Sequence, residues 1–216
     1  MKKIIFCLLL SLPCWLFAQI GIKGGLNFSG ITNTSSIKSS NQTGYNVGIL
    51  FGAFNKSIIG FRTEMTYSKQ GYNYQNETNT GKIDLQYFMS TNLATINISK
   101  YFQLQVGFQS ALLLNAKADS SKVDTSILPF AKLLDSYNRF DYGLAGGFEV
   151  HPVGGLLIGA RLNVSLGKLY KKALSGESPG LSDITARNNV LQLYAGWRFS
   201  QSSAASKKKE PHNSKE

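Results

Sequence analysis

Residues 101–117 read YFQLQVGFQSALLLNAK, a stretch in which apolar side chains occupy every second position. Six of the seven even positions from Phe102 to Leu114 are apolar, whereas the odd positions from Gln103 to Asn115 are mostly Gln, Gly or Asn. This period of two is the pattern of a β-strand with one apolar and one polar face. The last such stretch, residues 189–199, repeats it and places Leu191, Leu193, Ala195, Trp197 and Phe199 on one face.

Eight stretches of the chain share this alternation. We predict strands at residues 20–29, 44–53, 58–68, 87–98, 101–117, 139–150, 156–170 and 189–199. Lipid allows a backbone to cross it only as a helix or as a closed barrel, and barrel sequences alternate lipid-facing and lumen-facing residues. The sequence therefore predicts an all-β fold, an eight-stranded antiparallel up-and-down transmembrane β-barrel. A soluble lipocalin-like carrier with a similar strand count is the alternative.

The predicted connections fall into two length classes. Short connections at 54–57, 99–100 and 151–155 alternate with long ones at 30–43, 69–86, 118–138 and 171–188. Bacterial outer-membrane barrels show this asymmetry, with short periplasmic turns and long external loops. We therefore expect the long loops outside the cell and both ends of the barrel domain in the periplasm.

The chain is predicted to have three parts. Residues 1–18 have the charged start, the apolar stretch and the small-residue end of a secretory signal peptide; Pro13 argues against the alternative, a membrane anchor. Residues 19–199 form the barrel domain. Residues 200–216 are a basic tail, which we expect to be disordered in the periplasm because it has few apolar residues.

Composition excludes several classes of site. Both cysteines, Cys7 and Cys14, lie in the predicted signal peptide, so the mature domain is expected to have no disulfide, thiolate metal site or cysteine nucleophile. The net charge of +11 comes from basic residues dispersed over the chain rather than from one patch. This dispersion favours contact with anionic outer-membrane lipids over nucleic acid, which we do not expect as a partner.

The predicted inward face carries charged residues, which we expect to form a structural polar network inside the barrel: Lys23, Arg62, Glu64, Asp141, Glu149, Arg161 and Arg198. On the lipid face, near the middle of the membrane, such charges would cost about 2–4 kcal/mol each. In a lumen filled by side chains they can pair and form hydrogen bonds, which limits the cost of burial. A narrow ion path through this network is the alternative.

No catalytic, cofactor or metal site is predicted. The two histidines, His151 and His212, lie in a predicted periplasmic turn and in the tail, away from the long external loops. Asp141 and Glu149 are eight residues apart on one strand, about 26 Å, which is too far for a carboxylate pair. We therefore predict that the protein is not an enzyme.

Several segments resemble a known family, the small outer-membrane β-barrel domains common in Bacteroidota, often labelled PorT-family or OmpA/OmpX-like barrels. The resemblance lies in residues 20–29 (IGIKGGLNFS), 61–71 (FRTEMTYSKQG), 99–102 (SKYF), 140–144 (FDYGL) and 190–199 (VLQLYAGWRF). It implies an outer-membrane location and makes Phe199 the terminal aromatic signal that the outer-membrane assembly machinery reads. The fourth strand departs from the family pattern, because Met89, Thr91 and Thr95 stand where acidic or amide, proline and lysine residues are common.

The function predicted from these observations is non-enzymatic, a structural or interaction role exerted through the external loops. The resemblance also implies an alternative, an accessory component of type IX protein secretion, with an extracellular or secretion-system protein as partner. A narrow channel and a lipid-modifying enzyme are further alternatives.

Overall fold

The computed structural model describes residues 19–32, 38–52, 58–75, 80–120, 137–169 and 187–199. They form eight strands: β1 (Gln19–Thr32), β2 (Lys38–Gly52), β3 (Ile59–Gln75), β4 (Thr80–Asn97), β5 (Phe102–Ser120), β6 (Phe140–Val150), β7 (Leu156–Ser165) and β8 (Arg187–Arg198). Each strand pairs antiparallel with the next, and β8 pairs with β1, so the sheet closes into a barrel. The prediction of an eight-stranded antiparallel up-and-down barrel is confirmed. The predicted signal peptide and tail lie outside the described residues.

The alternation in sequence sorts side chains between the two faces of the wall. On β5, Leu104, Val106 and Phe108 are exposed on the outside, whereas Gln103 and Gln105 are buried inside. The interior is therefore polar at these positions, and the exterior is apolar. Within the part of the chain that the structure describes, no helix is long and apolar enough to cross a membrane.

The two ends of the barrel differ. At one end of the barrel lie the ends of β2, β4 and β6 and the starts of β3, β5 and β7, together with Gln19 and Phe199; we call this the turn end. At the opposite end, which we call the hairpin end, lie the ends of β1, β3, β5 and β7 and the starts of β2, β4, β6 and β8.

Strands extend at the hairpin end through residues predicted to be loops. Most of the predicted connection 69–86 is a paired hairpin, in register from Lys69 opposite Gln86 to Gln75 opposite Thr80. The predicted connection 30–43 is shortened in the same way, whereas β7 ends at Ser165 rather than at residue 170. A membrane strand needs only about 9–11 residues. The extensions thus lie beyond the bilayer, where the outward face no longer has to be apolar and the lipid-barrel pattern is lost.

A β-bulge changes the alternation near the hairpin end of β5. Tyr87 pairs with Leu113, but the preceding Gln86 pairs with Asn115, so Leu114 is left without a partner on β4. A bulge shifts the residues beyond it to the opposite face. Ala116 is consequently buried inside, although a strict period of two would place it outside.

Apolar side chains fill part of the interior on either side of the bulge. The side chains buried there, the outer apolar cluster, are Ile31, Tyr72, Ile83, Leu85, Tyr87, Met89, Ala111, Leu113, Ala116, Tyr137 and Leu169. Tyr87, at the predicted start of the fourth strand, is only 1% exposed and belongs to this cluster. The tyrosine hydroxyls of Tyr72 and Tyr137 lie 3.1 Å apart within it. This end of the barrel is therefore stabilised like the core of a soluble domain.

Candidate functional site

Charged side chains meet inside the barrel nearer the turn end. Lys23 comes from β1, Arg62 and Glu64 from β3, Glu149 from β6 and Arg161 from β7. Their side chains are at most 1% exposed. These five residues, with Gln105, His151 and Tyr194, are called the charged cluster below. Residues from six of the eight strands reach it, because inward-facing positions alternate along every strand of a small barrel.

Glu64 is the most heavily paired acid of the cluster. Its Oε2 accepts hydrogen bonds from Lys23 Nζ at 2.5 Å and from Arg161 Nη1 at 2.6 Å. Its Oε1 accepts one from Arg161 Nη2 at 2.9 Å and forms an ion pair with Arg62 Nε at 3.1 Å. Three cations thus surround one carboxylate, and the two-point contact with Arg161 fixes its orientation.

Glu149 holds the other side of the cluster. Arg62 donates to both of its oxygens, from Nη1 at 3.0 Å and from Nη2 at 2.8 Å. Gln105 Nε2 donates to Oε2 at 3.0 Å, and His151 Nε2 lies 2.6 Å from Oε1. Arg62 therefore links the two acids into one network.

Tyr194 lies at the centre of the cluster. Its hydroxyl accepts a hydrogen bond from Arg161 Nη2 at 3.1 Å and lies 3.1 Å from Glu149 Oε2. Its ring lies beneath two cations, with Lys23 Nζ 4.5 Å and Arg161 Cζ 5.1 Å from the ring centroid, in the range of cation–π contacts. Gly159 makes room for this ring, since a Cβ there would lie 2.6 Å from Tyr194 Cζ.

Two residues predicted for the network lie elsewhere or at its margin. Asp141 lies at the hairpin-end start of β6, where its Oδ1 accepts hydrogen bonds from Ser165 Oγ at 2.6 Å and from the Tyr142 amide at 2.8 Å. It is separated from Glu149 by the length of β6. Arg198, half-buried at the turn end, interacts electrostatically with Glu149.

Amide and hydroxyl side chains fill the lumen between the charged cluster and the outer apolar cluster. Asn27 Nδ2 donates to Ser68 Oγ at 2.8 Å, and Asn46 Nδ2 donates to Asn27 Oδ1 at 2.8 Å. Gln70 Nε2 donates to the same Ser68 oxygen at 2.8 Å, and Asn188 Nδ2 donates to Gln70 Oε1 at 2.5 Å. These bonds join β1, β2, β3 and β8 across the bore.

Three members of the charged cluster, Gln105, His151 and Tyr194, are not among the residues predicted for the network. His151 was expected in a solvated turn, yet it is 8% exposed and contacts Glu149. Tyr194 lies on the inward face of the alternation in residues 189–199, between the outward Leu193 and Ala195. This alternation is the signal that the sequence offers for Tyr194. Its pairing with Gly25 and Gly159, which leaves room for the ring, depends on the closed barrel.

The cluster is suited to holding charge in place rather than to moving it. Both acids accept several hydrogen bonds from cations or neutral donors, and all of these groups are shielded from solvent. Among the described residues, no group of three or more His, Cys, Asp or Glu side chains could bind a metal ion. Phe199, predicted to be the assembly signal, exposes its side chain outward at the turn end while its amide donates to Ile20 O at 2.8 Å.

Comparison with known families agrees with this architecture. Residues 13–171 match the sequence model of the family described as outer membrane protein beta-barrel domain. The chain belongs to that family. It is therefore an outer-membrane protein, and the predicted location is confirmed. The family match does not extend to the narrower PorT or Bacteroidota assignment. No match was found among curated proteins.

Three solved structures of other outer-membrane or surface proteins are similar to this chain. Ail, the attachment invasion locus protein of Yersinia pestis, is 17% identical; the match covers 84% of this chain and 99% of Ail, with a TM-score of 0.47. Neisserial surface protein A is 14% identical over 84% of this chain and 99% of its own, with a TM-score of 0.49. OprG from Pseudomonas aeruginosa is 13% identical over 85% and 97%, with a TM-score of 0.45.

Proposed function

We propose that this outer-membrane barrel is non-enzymatic and does not conduct ions, and that its role is structural or interactive. The charged cluster is the observation that supports this proposal. It places five charged side chains, at most 1% exposed, across the bore, where they pair with one another. An eight-stranded barrel leaves space mainly for side chains, so this packing closes the path.

We propose that the protein binds its partner through the hairpin end. The extensions of β2, β3, β4 and β5 form a sheet that projects beyond the bilayer. On β5, residues 115–120 pair with β4, but the pairing with β6 ends at Leu112 opposite Phe140. Among the described residues, the other edge of this segment has no partner strand. An exposed edge can add a strand from another polypeptide. The proposed partner is therefore an extended segment of an extracellular protein.

The orientation in the membrane forms part of the proposal. The turn end faces the periplasm and the hairpin end faces outside, as in other bacterial barrels. Lipids of the outer membrane surround the apolar wall, and the assembly machinery is proposed to read Phe199.

Ion conductance in planar bilayers tests the proposal. The purified barrel should give no steady conductance and no lipid hydrolysis. A variant with Arg62, Glu64, Glu149 and Arg161 all replaced by serine is the matched control; if it folds, removing the long side chains should open the bore. Steady conductance by the unmodified barrel would show a channel, and release of fatty acids would show an enzyme; either result overturns the proposal.

The PorT-like alternative, an accessory role in type IX secretion, has a separate test. Deleting the gene should leave the export of secreted cargo unchanged if the role is the one proposed here. Loss of export would instead support the secretion role.

A further inference from the structure

A polar pair lies on the lipid-facing side of the barrel. Thr63 on β3 and Asn92 on β4 are directly opposite each other in the sheet. Their chain neighbours Arg62, Glu64 and Leu93 are buried in the lumen, so both side chains point outward. Thr63 Oγ1 donates a hydrogen bond to Asn92 Oδ1 at 2.9 Å.

The pair lies at mid-height of the apolar band. On β3, Thr63 is midway between the outward-facing Ile59 and Tyr67; on β4, Asn92 is midway between Ile96 and Phe88. The corresponding outward positions of β1, β7 and β8 are apolar or glycine: Ile22, Gly24, Leu26, Ile158, Ala160, Leu162, Leu193, Ala195 and Trp197. A carboxamide in the hydrocarbon layer is costly unless its hydrogen-bonding groups are satisfied.

Hydrogen-bonding groups remain free in this pair. Thr63 has a single O–H donor, and Asn92 Oδ1 already accepts it. Both N–H groups of Asn92 Nδ2 have no acceptor among the described residues, while Thr63 Oγ1 and Asn92 Oδ1 retain lone pairs. The pair thus offers donors and acceptors at once, and acyl chains can satisfy neither.

We propose that this face of the barrel, centred on Asn92, binds a second copy of the chain to form a two-fold symmetric dimer in the membrane. A two-fold interface brings the same patch of each subunit together, so it needs a surface that complements itself. The Asn92–Thr63 pair meets this need, since the amide of one copy can donate to the oxygens of the other. Interhelical contacts within membranes use small and polar residues in the same way.

The surroundings of Asn92 fit this occupant. Ala94, two residues along the same face, is small enough to allow close approach of the two walls. Phe61 and Phe108 flank the pair and are 68% and 59% exposed, respectively. They would pack against the partner and exclude lipid from the hydrogen bonds. The inference is independent of the function proposed above, because it concerns the wall rather than the lumen or the hairpin end.

Disulfide cross-linking in native outer membranes tests the dimer. The full-length Ala94→Cys variant, oxidised in membranes, should give a covalent dimer of twice the monomer mass. Ala160→Cys, an identical change on the outward face of β7, is the matched control and should remain monomeric. Adding Asn92→Leu to Ala94→Cys should lower the dimer yield at limiting protein about tenfold, as expected for two lost hydrogen bonds in lipid.

Three results would overturn the proposal. The first is cross-linking of Ala94→Cys no greater than that of Ala160→Cys, and the second is a dimer yield that Asn92→Leu leaves unchanged. The third is cross-linking of Ala94→Cys mainly to a protein of different mass, which would identify another partner. Faster gel mobility before boiling than after boiling checks that each variant still forms the barrel, so that a lost cross-link is not mistaken for lost folding.

Discussion

Neutralising Glu64 should destabilise the barrel more than any other single isosteric change in the charged cluster. Glu64→Gln keeps the shape of the side chain but removes its charge. Lys23, Arg62 and Arg161 all contact this carboxylate, at distances from 2.5 to 3.1 Å. After the substitution only Glu149 remains to balance three buried cations.

The magnitude follows from this imbalance. Removing one partner of a buried ion pair typically costs about 3–5 kcal/mol, because the other charge stays buried without compensation. We expect Glu64→Gln to lower the free energy of unfolding by that amount. Glu149→Gln is the matched comparison and should cost less, about 1.5–3 kcal/mol, the usual range for hydrogen bonds to charged groups. The reason is that Arg62 keeps its contact with Glu64 Oε1 at 3.1 Å.

Urea unfolding from lipid vesicles measures both changes. Trp197 is a suitable probe, because it is 44% exposed on the lipid-facing side of β8 and should change its fluorescence on leaving the bilayer. The free energy of unfolding is obtained by linear extrapolation to zero urea. A loss below about 1 kcal/mol for Glu64→Gln, or a larger loss for Glu149→Gln, would refute the reasoning from cation count.

Two further predictions concern glycines and use the same unfolding assay. Gly159→Ala should lower the free energy of unfolding by about 1–3 kcal/mol, because the added methyl group overpacks against the ring of Tyr194. Gly24→Ala is its control, since a Cβ there would meet only a backbone oxygen at 3.6 Å. Equal effects of the two changes would contradict the close packing. Gly155→Ala should cost about 1–2 kcal/mol, because Gly155 has a φ of +90°. Gly154→Ala in the same turn, with no atom within 4 Å of its Cβ, should be nearly neutral; a neutral Gly155→Ala would show that the turn can relax.

The sequence predicted the membrane-crossing wall well, because lipid imposes a strict rule there. Wherever the outside of a strand meets acyl chains, the outward residues must be apolar, and the period of two is then visible from residue types alone. The pattern on β5 from Phe102 to Leu112 is an example: its apolar positions face outward and its glutamines face the lumen.

The hairpin end could not be predicted by the same rule. Outside the bilayer, Tyr72, Ile83 and Leu85 turn inward while Lys69 and Asp84 form an ion pair at 3.0 Å. Here the apolar side chains face inward and the charged ones outward, the reverse of a strand in lipid. The alternation of a membrane strand is therefore absent, and the sequence predicts a polar loop. The bulge at Leu114 adds a second break, since local sequence does not show which residue a strand will leave unpaired.

The sequence predicted which charged residues face the lumen but not which of them pair with one another. Inward charges at Lys23, Glu64 and Arg161 followed from alternation, whereas their pairing depends on barrel closure and on the relative heights of strands far apart in sequence. Asp141 shows the consequence. It shares the inward face with Glu149, yet it lies near the opposite end of β6 and bonds to Ser165 instead.

One physical requirement connects the lumen with the outer wall. A polar group in a water-poor environment needs a partner, and the charged cluster meets this need within one chain. Asn92 is under the same constraint on the opposite face of the wall, but its amide N–H groups have no acceptor among the described residues of its own chain. The same reasoning that explains why Arg161 is paired inside the barrel therefore implies that Asn92 is paired outside it, with a group from another molecule.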